Sequence, residues 1–288
     1  MKVSLSLKPS SRGTQALLVF TLSVAVLNVA VGSAVPPPGG LPAGGAVGAG
    51  GTVTVPGHFG NFKEAIDKGT GGEGTVINVH PGEHRWDNFL EVGQQVDIRG
   101  TAGAILPGTL WMKKGSKGFI ADMEMIKESG SAIIFEGGQW SIDACRMCCS
   151  RWAVLWCRCE SEVTVKNSFL GGIEEGPGYC VNVQDHGKVH VEGCHLERSG
   201  GEYSAAVAVF HNCRLRLQGC NLQENQSALR AVTAKDVVLE VIGNTITGDL
   251  WYDTTRPGTL IEQGNTHNGM PLQDSGMMNP PETPPILR

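Results

Sequence analysis

A short segment recurs along this chain at nearly constant spacing, and this recurrence limits the possible folds more than any other feature. The copies are VTVKNSFLGG (163–172), VHVEGCHLERSG (189–200), LRLQGCNLQENQ (215–226) and LEVIGNTITGD (239–249). Each has two apolar residues around a polar one, then Gly or Asn, a small polar residue and another apolar residue two positions later. Repeats of about 20–50 residues are typical of solenoids, in which each unit packs on its neighbours.

Aligning the copies on the first apolar residue divides the chain into coils of 21–26 residues. The expected coil starts are Val96, Phe119, Trp140, Val163, Val189, Leu215 and Leu239. A second apolar strand follows in the coils, as in AIIF (132–135), AVLW (153–156) and AVAV (206–209). Alternation of period two predicts strands with one buried and one wet face. Recurring strands joined by Gly or Asn turns indicate an all-β parallel β-helix of about seven or eight coils.

The segment before the coils predicts one short helix. Phe59, Phe62, Ala65 and Ile66 fall at helical spacing, and glycines from Gly69 onward end the run. We therefore expect a helix over residues 61–68 that caps the N-terminal end of the solenoid, followed only by strands.

The two termini differ in composition from the repeats. Lys2, Lys8 and Arg12 precede an apolar run at 17–34, which predicts a cleaved signal peptide over 1–34 or, alternatively, a signal anchor. A Pro/Gly/Ala linker follows at 35–51, the β-helix is expected over 52–268, and a disordered Pro-rich tail over 269–288. The chain is therefore expected to be secreted, or membrane-anchored if the leader is retained.

Charge and cysteine content restrict the partners and the compartment. The net charge of −5 gives no general electrostatic reason to bind nucleic acid, so no such partner is expected. The nine cysteines are an odd number, so in a secreted chain at least one stays reduced or pairs between chains.

The coil motifs resemble those of a known family of folds. The series FKEAIDKG, GTVINVHPGEHRW and VDIRG is similar to the capping helix, first strand, Pro-Gly turn and second strand of right-handed β-helix proteins of the pectin-lyase-like superfamily. The copies VTVKNSF, VHVEGCHL and LRLQGCNL resemble their coil repeat, over about three-quarters of the chain. The nearest branch is the β-helix domain of SHC SH2-domain-binding proteins and of F-box-type adaptors. The resemblance implies a right-handed parallel β-helix solenoid, a fold that hosts many different functions.

The resemblance implies binding more than catalysis. The Asn-Thr-Asp, Asp-Asp, Gly-His-Gly and Arg-Ile-Lys series of polygalacturonases is missing, and VQDHG (183–187) has no partner aspartate motif. No F-box-like segment or SH2-binding tyrosine region is present, so an intracellular adaptor would require that residues 1–34 are not a signal. The leading hypothesis is a non-catalytic binding or scaffold module that recognises carbohydrate or protein.

Two outward-facing ladders are expected on the first strand of each coil, because alternate residues of a strand point to the same face. Their charges largely balance, as on a solvated surface. One ladder contains Ser141, Thr164, His190, Arg216 and Glu240, and the other contains Asp122, Asp143, Lys166, Glu192 and Gln218. If this face binds a partner, His190, Glu192 and Arg216 are the expected binding residues.

The alternative function is a calcium-assisted polysaccharide lyase or carbohydrate esterase. Asp122 and Asp143 would stack one coil apart, and two carboxylates about 5 Å apart can share a calcium ion. Lys166 or Arg216 would then abstract a proton from a uronate. Because two aspartates alone are a weak calcium site, no cofactor is expected outside this alternative.

The tryptophans are candidate stacking surfaces for sugars. Trp86, in the loop EHRWDN, and Trp251, in DLWYD, are expected to be exposed and to bind a ligand. Trp140 and Trp152 fall where strands begin and are expected to pack in the core or at its edge.

The cysteines of the segment CRMCCSRWAVLWCRCE allow three interpretations. Cys145, Cys148, Cys149, Cys157 and Cys159 could supply zinc ligands, local disulfides or packing thiols. Strand alternation predicts that Cys157 and Cys159 share one face, whereas the adjacent Cys148 and Cys149 point apart. In VHVEGCHLERSG, Gly193 is expected in the turn. The next residue, Cys194, should lie on an inward ladder with Cys145, Ser168, Cys220 and Asn244, and a bond between Cys194 and Cys220 stays open.

Overall fold

The computed structural model of the chain describes residues 50–69, 74–173, 178–197, 204–210, 212–225, 228–232, 236–248, 252–254 and 259–272. The expected signal or anchor segment (1–34), nearly all of the linker and most of the Pro-rich tail lie outside the described residues.

The first half of the described chain contains one helix and thirteen strands. In order they are β1 (Thr52–Val55), α1 (Phe62–Gly69), β2 (Thr75–Val79), β3 (Gly82–Glu83), β4 (Phe89–Val92), β5 (Gln95–Gly100), β6 (Ala104–Leu106), β7 (Thr109–Met112), β8 (Lys117–Ala121), β9 (Glu124–Lys127), β10 (Ile133–Glu136), β11 (Gln139–Asp143), β12 (Arg146–Cys149) and β13 (Ala153–Arg158).

The second half contains only strands among the described residues. They are β14 (Glu162–Lys166), β15 (Phe169–Gly172), β16 (Tyr179–Val183), β17 (Lys188–Glu192), β18 (His195–Glu197), β19 (Ala205–Phe210), β20 (Arg214–Gln218), β21 (Asn221–Asn225), β22 (Leu229–Val232), β23 (Val238–Ile242), β24 (Thr245–Gly248), β25 (Tyr252–Thr254), β26 (Thr259–Gln263), β27 (Thr266–His267) and β28 (Met270–Pro271).

The strands stack into three long sheets. Sheet A runs β1-β2-β5-β8-β11-β14-β17-β20-β23-β26, sheet B runs from β3 to β28, and sheet C runs from β4 to β25. The 24 strands from β2 to β25 contribute in turn to sheets A, B and C and so form eight complete coils. All pairings in the sheets are parallel except β27 with β28, which are antiparallel. The expected all-β parallel β-helix is confirmed.

Helix α1 covers the first coil. Its Phe62, Ala65 and Ile66 are buried against the core, and Asn61 precedes the helix. The Asn61 side chain accepts a hydrogen bond from the backbone N–H of Glu64 at 2.8 Å. This bond satisfies one of the backbone donors left open at a helix start, which is why the helix begins here.

The register of sheet A corrects one expected coil start. Gly118, and not Phe119, lies between Val96 and Trp140 on the inward ladder. Phe119 points outward and packs under Arg99, whose guanidinium lies 5.6 Å from the ring centroid. Glycine takes the inward position because the Trp140 ring and the neighbouring backbone leave no room for a side chain there.

A left-handed turn follows the strands of sheet A at one recurring position. The backbone angle φ is +58° at Asp122, +52° at Ala144, +46° at Asn167 and +61° at Gly193. Gly has no Cβ and Asn and Asp tolerate this region, which explains much of the residue choice. The expected turn at Gly193 is confirmed.

The residue after this turn is buried in successive coils. The expected inward ladder is confirmed at Cys145, Ser168, Cys194, Cys220 and Asn244, and it extends to Met123 and Asn265. Because the solenoid core would otherwise leave backbone groups of the turn unpaired, several of these side chains bond to the backbone of an adjacent coil.

Asn244 makes the largest share of these bonds. Its Oδ1 accepts from the backbone N–H of Cys220 at 2.8 Å. Its Nδ2 donates to the carbonyl of Leu217 at 3.0 Å and to Oδ1 of Asn265 at 3.0 Å. Asn265 repeats the pattern one coil later, with Nδ2 donating to the Val241 carbonyl at 2.7 Å. The two asparagines therefore link three coils through buried polar contacts.

All nine cysteines are described, and no disulfide joins any pair of them. Cys194 and Cys220 are stacked as thiols, and the hydrogen bond that the Cys194 thiol donates to the Cys220 sulfur, together with burial, raises the pKa of Cys194. The expectation that Cys157 and Cys159 share a face is wrong. Cys157 is buried in β13, whereas Cys159 is exposed beyond the strand end, with φ of +55°.

Within the described residues, no helix combines the length and the apolar character that crossing a bilayer requires.

Candidate functional site

A groove of about 550 Å³ runs across the first residues of the sheet A strands. We call it the sheet A groove. Its polar lining comes from two outward positions of each strand, and its apolar lining from the residues between them. The polar residues are Gln139, Ser141, Glu162, Thr164, Lys188, His190, Arg214, Arg216 and Glu240. Because the coils are in register, equivalent side chains repeat across the groove about every 4.8 Å.

One end of the groove carries a balanced charge pair. Lys188 on β17 contacts Glu162 on β14, with Nζ to Oε1 at 2.6 Å, and Gln139 donates to the other oxygen of Glu162 at 3.0 Å. These hydrogen bonds lower the pKa of Glu162, the bond from Lys188 most. Glu162 is therefore an ionised acceptor at neutral pH and unsuited to act as a general acid.

The other end of the groove contains two arginines on β20. Arg216 contacts Glu240 on β23 at 3.2 Å and also donates two bonds to Gln218. Arg214 lies on the same side of β20, is exposed, and contacts no carboxylate among the described residues. The groove thus holds an unbalanced guanidinium beside two self-balanced ion pairs.

His190 lies in the middle of the groove between Thr164 and Arg216. Its Nε2 atom is buried and has no hydrogen-bond partner among the described residues. Burial is the main cause that lowers the pKa of His190 below its ordinary value of 6.5. The imidazole is therefore neutral at pH 7, and its Nε2 atom is unpaired within the described part of the chain.

The structure brings together only part of the expected site. His190 and Arg216 line the groove, but Glu192 lies on the outward position nearer the strand end. There it pairs with Lys166 at 2.8 Å, which lowers the pKa of Glu192 and raises that of Lys166. Glu192 is thus separate from the polar residues of the groove.

The expected stacking of Asp122 on Asp143 is wrong. Asp143 pairs in register with Ala121, the last residue of β8, whereas Asp122 occupies the left-handed turn beyond it. Asp143 instead accepts a hydrogen bond from Asn167 at 2.9 Å. In the described part of the chain, no three His, Cys, Asp or Glu side chains are grouped to hold a metal ion.

The two tryptophans expected to bind a ligand are not at the groove. Trp86 is partly buried against the core, 5.6 Å from the ring of Phe62, and it fills the space over Gly108. Its expected exposure is therefore wrong. Trp251 lies outside the described residues. Trp140 is buried as expected, but Trp152 is 69% exposed, contrary to the expectation of packing.

Sequence reasoning missed the ladder of Glu162, Lys188 and Arg214. These residues stand directly before the apolar pair in E-VTV, K-VHV and R-LRL. An alternating strand places the residue before an inward one on the outer face, so this position carries the same signal as the ladder that was recognised. Extending the repeat by one residue would have found it.

Comparisons with known proteins bear on the fold. No protein-family model and no curated protein matches the chain. Among solved structures, it is similar to the pectin methylesterase of Aspergillus niger, with a TM-score of 0.55 and 12% sequence identity. The match covers 79% of this chain and 88% of that chain. This likeness concerns the fold alone, and it agrees with the three-sheet parallel β-helix described above.

Proposed function

We propose that the chain is a non-catalytic binding module whose sheet A groove binds a carboxylated polysaccharide. The observation that supports this proposal most is the exposed Arg214 beside Lys188 and Arg216 in a shallow groove. The two latter cations have carboxylate partners within the chain, and Arg214 has none among the described residues. A uronate carboxylate would complete that charge balance, since guanidinium binds carboxylate with two parallel hydrogen bonds.

The arrangement of carboxylates favours binding over cleavage of a glycosidic bond. Glu162 and Glu240 lie three strands apart, which separates them by about 14 Å along the stack. Paired catalytic carboxylates stand about 5–9.5 Å apart. Each of these two also forms an ion pair within the chain. The calcium-assisted alternative loses its expected metal pair, because Asp122 and Asp143 are not in register.

Replacing Arg214 with alanine is expected to weaken binding of polygalacturonate about tenfold, the loss of one charge-assisted contact at a solvated site. Isothermal titration calorimetry measures this change. Raising the salt concentration should also weaken binding by the wild-type chain, because exposed charges are screened. The matched control is Arg85→Ala, an exposed arginine outside the groove that pairs with Glu83. Equal binding by the wild type and Arg214→Ala, or no binding by either, contradicts the proposal.

A second candidate is hydrolysis of carbohydrate esters. The structural likeness to a pectin methylesterase favours it, and His190 supplies a neutral imidazole with an unpartnered nitrogen in the groove. In this version His190 takes a proton from water as the water oxygen attacks the ester carbonyl, and the imidazolium then gives that proton to the methanol oxygen as the acyl–oxygen bond breaks.

For this candidate, the expected result is methanol release from methyl-esterified pectin that falls at least a hundredfold in His190→Gln. Because burial lowers the pKa of His190, activity should persist below pH 6.5 and disappear only when the imidazole is protonated. His186→Gln, at an exposed turn before β17, is the control. Absence of methanol release by the wild-type chain eliminates this candidate and leaves the binding proposal unchanged.

Several expectations from the sequence are kept as predictions. Export from the cell, with or without retention of the leader as an anchor, follows from residues 1–34 alone. Three further expectations also stay predictions: a protein partner instead of a carbohydrate, a role for Glu192 or Trp251 in binding, and a nearer relation to SHC SH2-domain-binding proteins and F-box-type adaptors. Neither a cofactor nor a nucleic-acid partner is proposed.

A further inference from the structure

A second cavity, of about 590 Å³, lies on the outer side of sheet C across β13, β16 and β19. We call it the sheet C cavity. Its lining combines four aromatic rings with two side-chain amides: Trp152, Trp156, Tyr179, Phe210, Asn182 and Gln184. It belongs to a different face of the solenoid from the sheet A groove and shares no lining residue with it.

The aromatic rings of the cavity are held in place on the outer face. Leu155 and Cys157 are buried in the core, so Trp156 between them points outward. Its indole N–H donates to Oε1 of Gln184 at 3.2 Å, and the Arg158 guanidinium lies 4.9 Å from its ring centroid. Arg158 is fixed in turn by Glu136 at 2.8 Å. A ring restrained in this way loses little conformational entropy when a ligand packs on it.

Three further rings extend this surface. Trp152 stands at the rim with 69% of its surface exposed, on a residue whose φ is +67°. A large aromatic side chain in that backbone region is uncommon, and it persists only where the surrounding structure imposes it. Tyr179 meets Phe210 edge to face, with centroids 6.3 Å apart. The cavity therefore offers several aromatic surfaces to one ligand.

Asn182 supplies the polar contact for a ligand in this cavity. The residue is 8% exposed, and its Oδ1 atom has no hydrogen-bond partner among the described residues. It lies directly between Trp156 and Ala208 in the register of sheet C. A buried amide oxygen without a partner is destabilising, so a ligand that donates a hydrogen bond to it binds more tightly through that contact. The cavity thus requires a donor as well as a flat apolar face.

These features define the ligand. The lining carries one cation, Arg151, and no carboxylate among the described residues, so its charges oppose a cationic ligand. Its volume is within the range of about 300–1,000 Å³ typical of small-molecule sites. Sugar rings offer both an apolar C–H face for stacking and hydroxyl donors. A proline-rich peptide would stack on the same rings, but prolyl residues have no N–H to donate to Asn182.

We propose that the sheet C cavity is a second binding site, which accepts a neutral sugar chain by stacking on Trp152 and Trp156 and by a hydroxyl bond to Asn182. This site does not depend on the charges of the sheet A groove. A chain with both sites would hold an acidic and a neutral glycan on different faces of one rigid solenoid.

The test is titration calorimetry of the full chain with cellohexaose, mannohexaose and xylohexaose, with tryptophan fluorescence as a second readout. At least one of the three is expected to bind and to change the fluorescence. Trp152→Ala should weaken that binding at least tenfold, and Asn182→Leu, which keeps the side-chain size but removes the acceptor, about fivefold or more. Because Trp152 is exposed, its removal leaves the core intact. The test therefore does not depend on Trp156→Ala, even if that variant fails to fold.

Two control variants show whether the sugar binds at this cavity or elsewhere on the chain. Trp111→Ala removes an outward tryptophan on the same sheet, two strands away from Trp156, and should leave binding within twofold of the wild type. Arg214→Ala should also leave binding of the neutral sugar unchanged. Loss of binding at the sheet C cavity can therefore be distinguished from loss of binding at the sheet A groove. The proposal is overturned if none of the three sugars binds, or if Trp152→Ala and Asn182→Leu bind as the wild type does. It is also overturned if a synthetic peptide of residues 270–288 occupies the cavity in preference to every sugar.

Discussion

Asn244→Ala is expected to lower the free energy of unfolding by about 3 kcal/mol, because it leaves buried polar groups without partners. The backbone N–H of Cys220, the carbonyl of Leu217 and the amide oxygen of Asn265 each lose a hydrogen bond. Asn244 is 1% exposed, so water cannot replace these bonds without opening the coil. Urea denaturation followed by circular dichroism measures the change, and hydrogen exchange at residues 217–244 locates it.

Asn221→Ala is the matched control for this variant. Asn221 is the same residue type one position after Cys220, but its Oδ1 has no hydrogen-bond partner among the described residues. Its replacement should cost less than about 1 kcal/mol, as for a side chain without a specific buried bond. If the two variants are equally stable, the asparagine ladder does not hold the coils together as we infer.

Gly118→Ala is expected to destabilise the chain by about 3 kcal/mol, at the upper end of the usual cost of overpacking. A Cβ at this position would overlap the carbonyl oxygen of Val96 in the preceding coil and approach the Trp140 ring to 3.0 Å. Neither neighbour can yield easily, since Val96 belongs to the sheet A ladder and Trp140 is anchored by a bond from its N–H to the Ser116 hydroxyl at 3.0 Å. Thermal and urea denaturation give the magnitude.

Gly219→Ala tests whether steric overlap, and not the loss of a glycine as such, causes this effect. Gly219 has φ of +61°, but no atom lies within 4 Å of the Cβ that alanine would add. Only the left-handed backbone then opposes the substitution, at a cost of about 1–2 kcal/mol. A cost for Gly118→Ala no larger than that for Gly219→Ala would contradict the close coil-to-coil approach at Gly118.

The sequence predicted the fold well because a solenoid repeats the same local contacts in every coil. One copy such as VHVEGCHL specifies inward, outward and turn positions, and neighbouring copies confirm them. The predicted strand register was wrong where one coil departs from the repeat. Gly118 stands where other coils have an apolar residue, so the alignment moved by one position and placed Phe119 and Asp122 on the wrong ladders.

The candidate site was less accessible to sequence reasoning. Alternation identified His190 and Arg216 as outward residues, but the partners that determine their chemistry depend on side-chain conformation. Whether a lysine finds a glutamate, as Lys166 finds Glu192, cannot be read from spacing alone. The sheet C cavity is harder still to predict from sequence, because Trp156, Asn182 and Phe210 come from three different strands. They form one site only in the assembled sheet.

The antiparallel pairing of β27 with β28 bears on how such a molecule avoids becoming a fibre. Each coil of a parallel solenoid pairs with the next through the edges of its strands. An uncovered terminal coil therefore leaves unpaired backbone groups, on which a second molecule could extend the stack, as in amyloid growth. At this end, the last strand of sheet B runs in the opposite direction to the strands before it. An incoming coil could match sheet A but would meet β28 with reversed polarity. The hairpin therefore ends the parallel stacking of sheet B at this end, while α1 covers the opposite end.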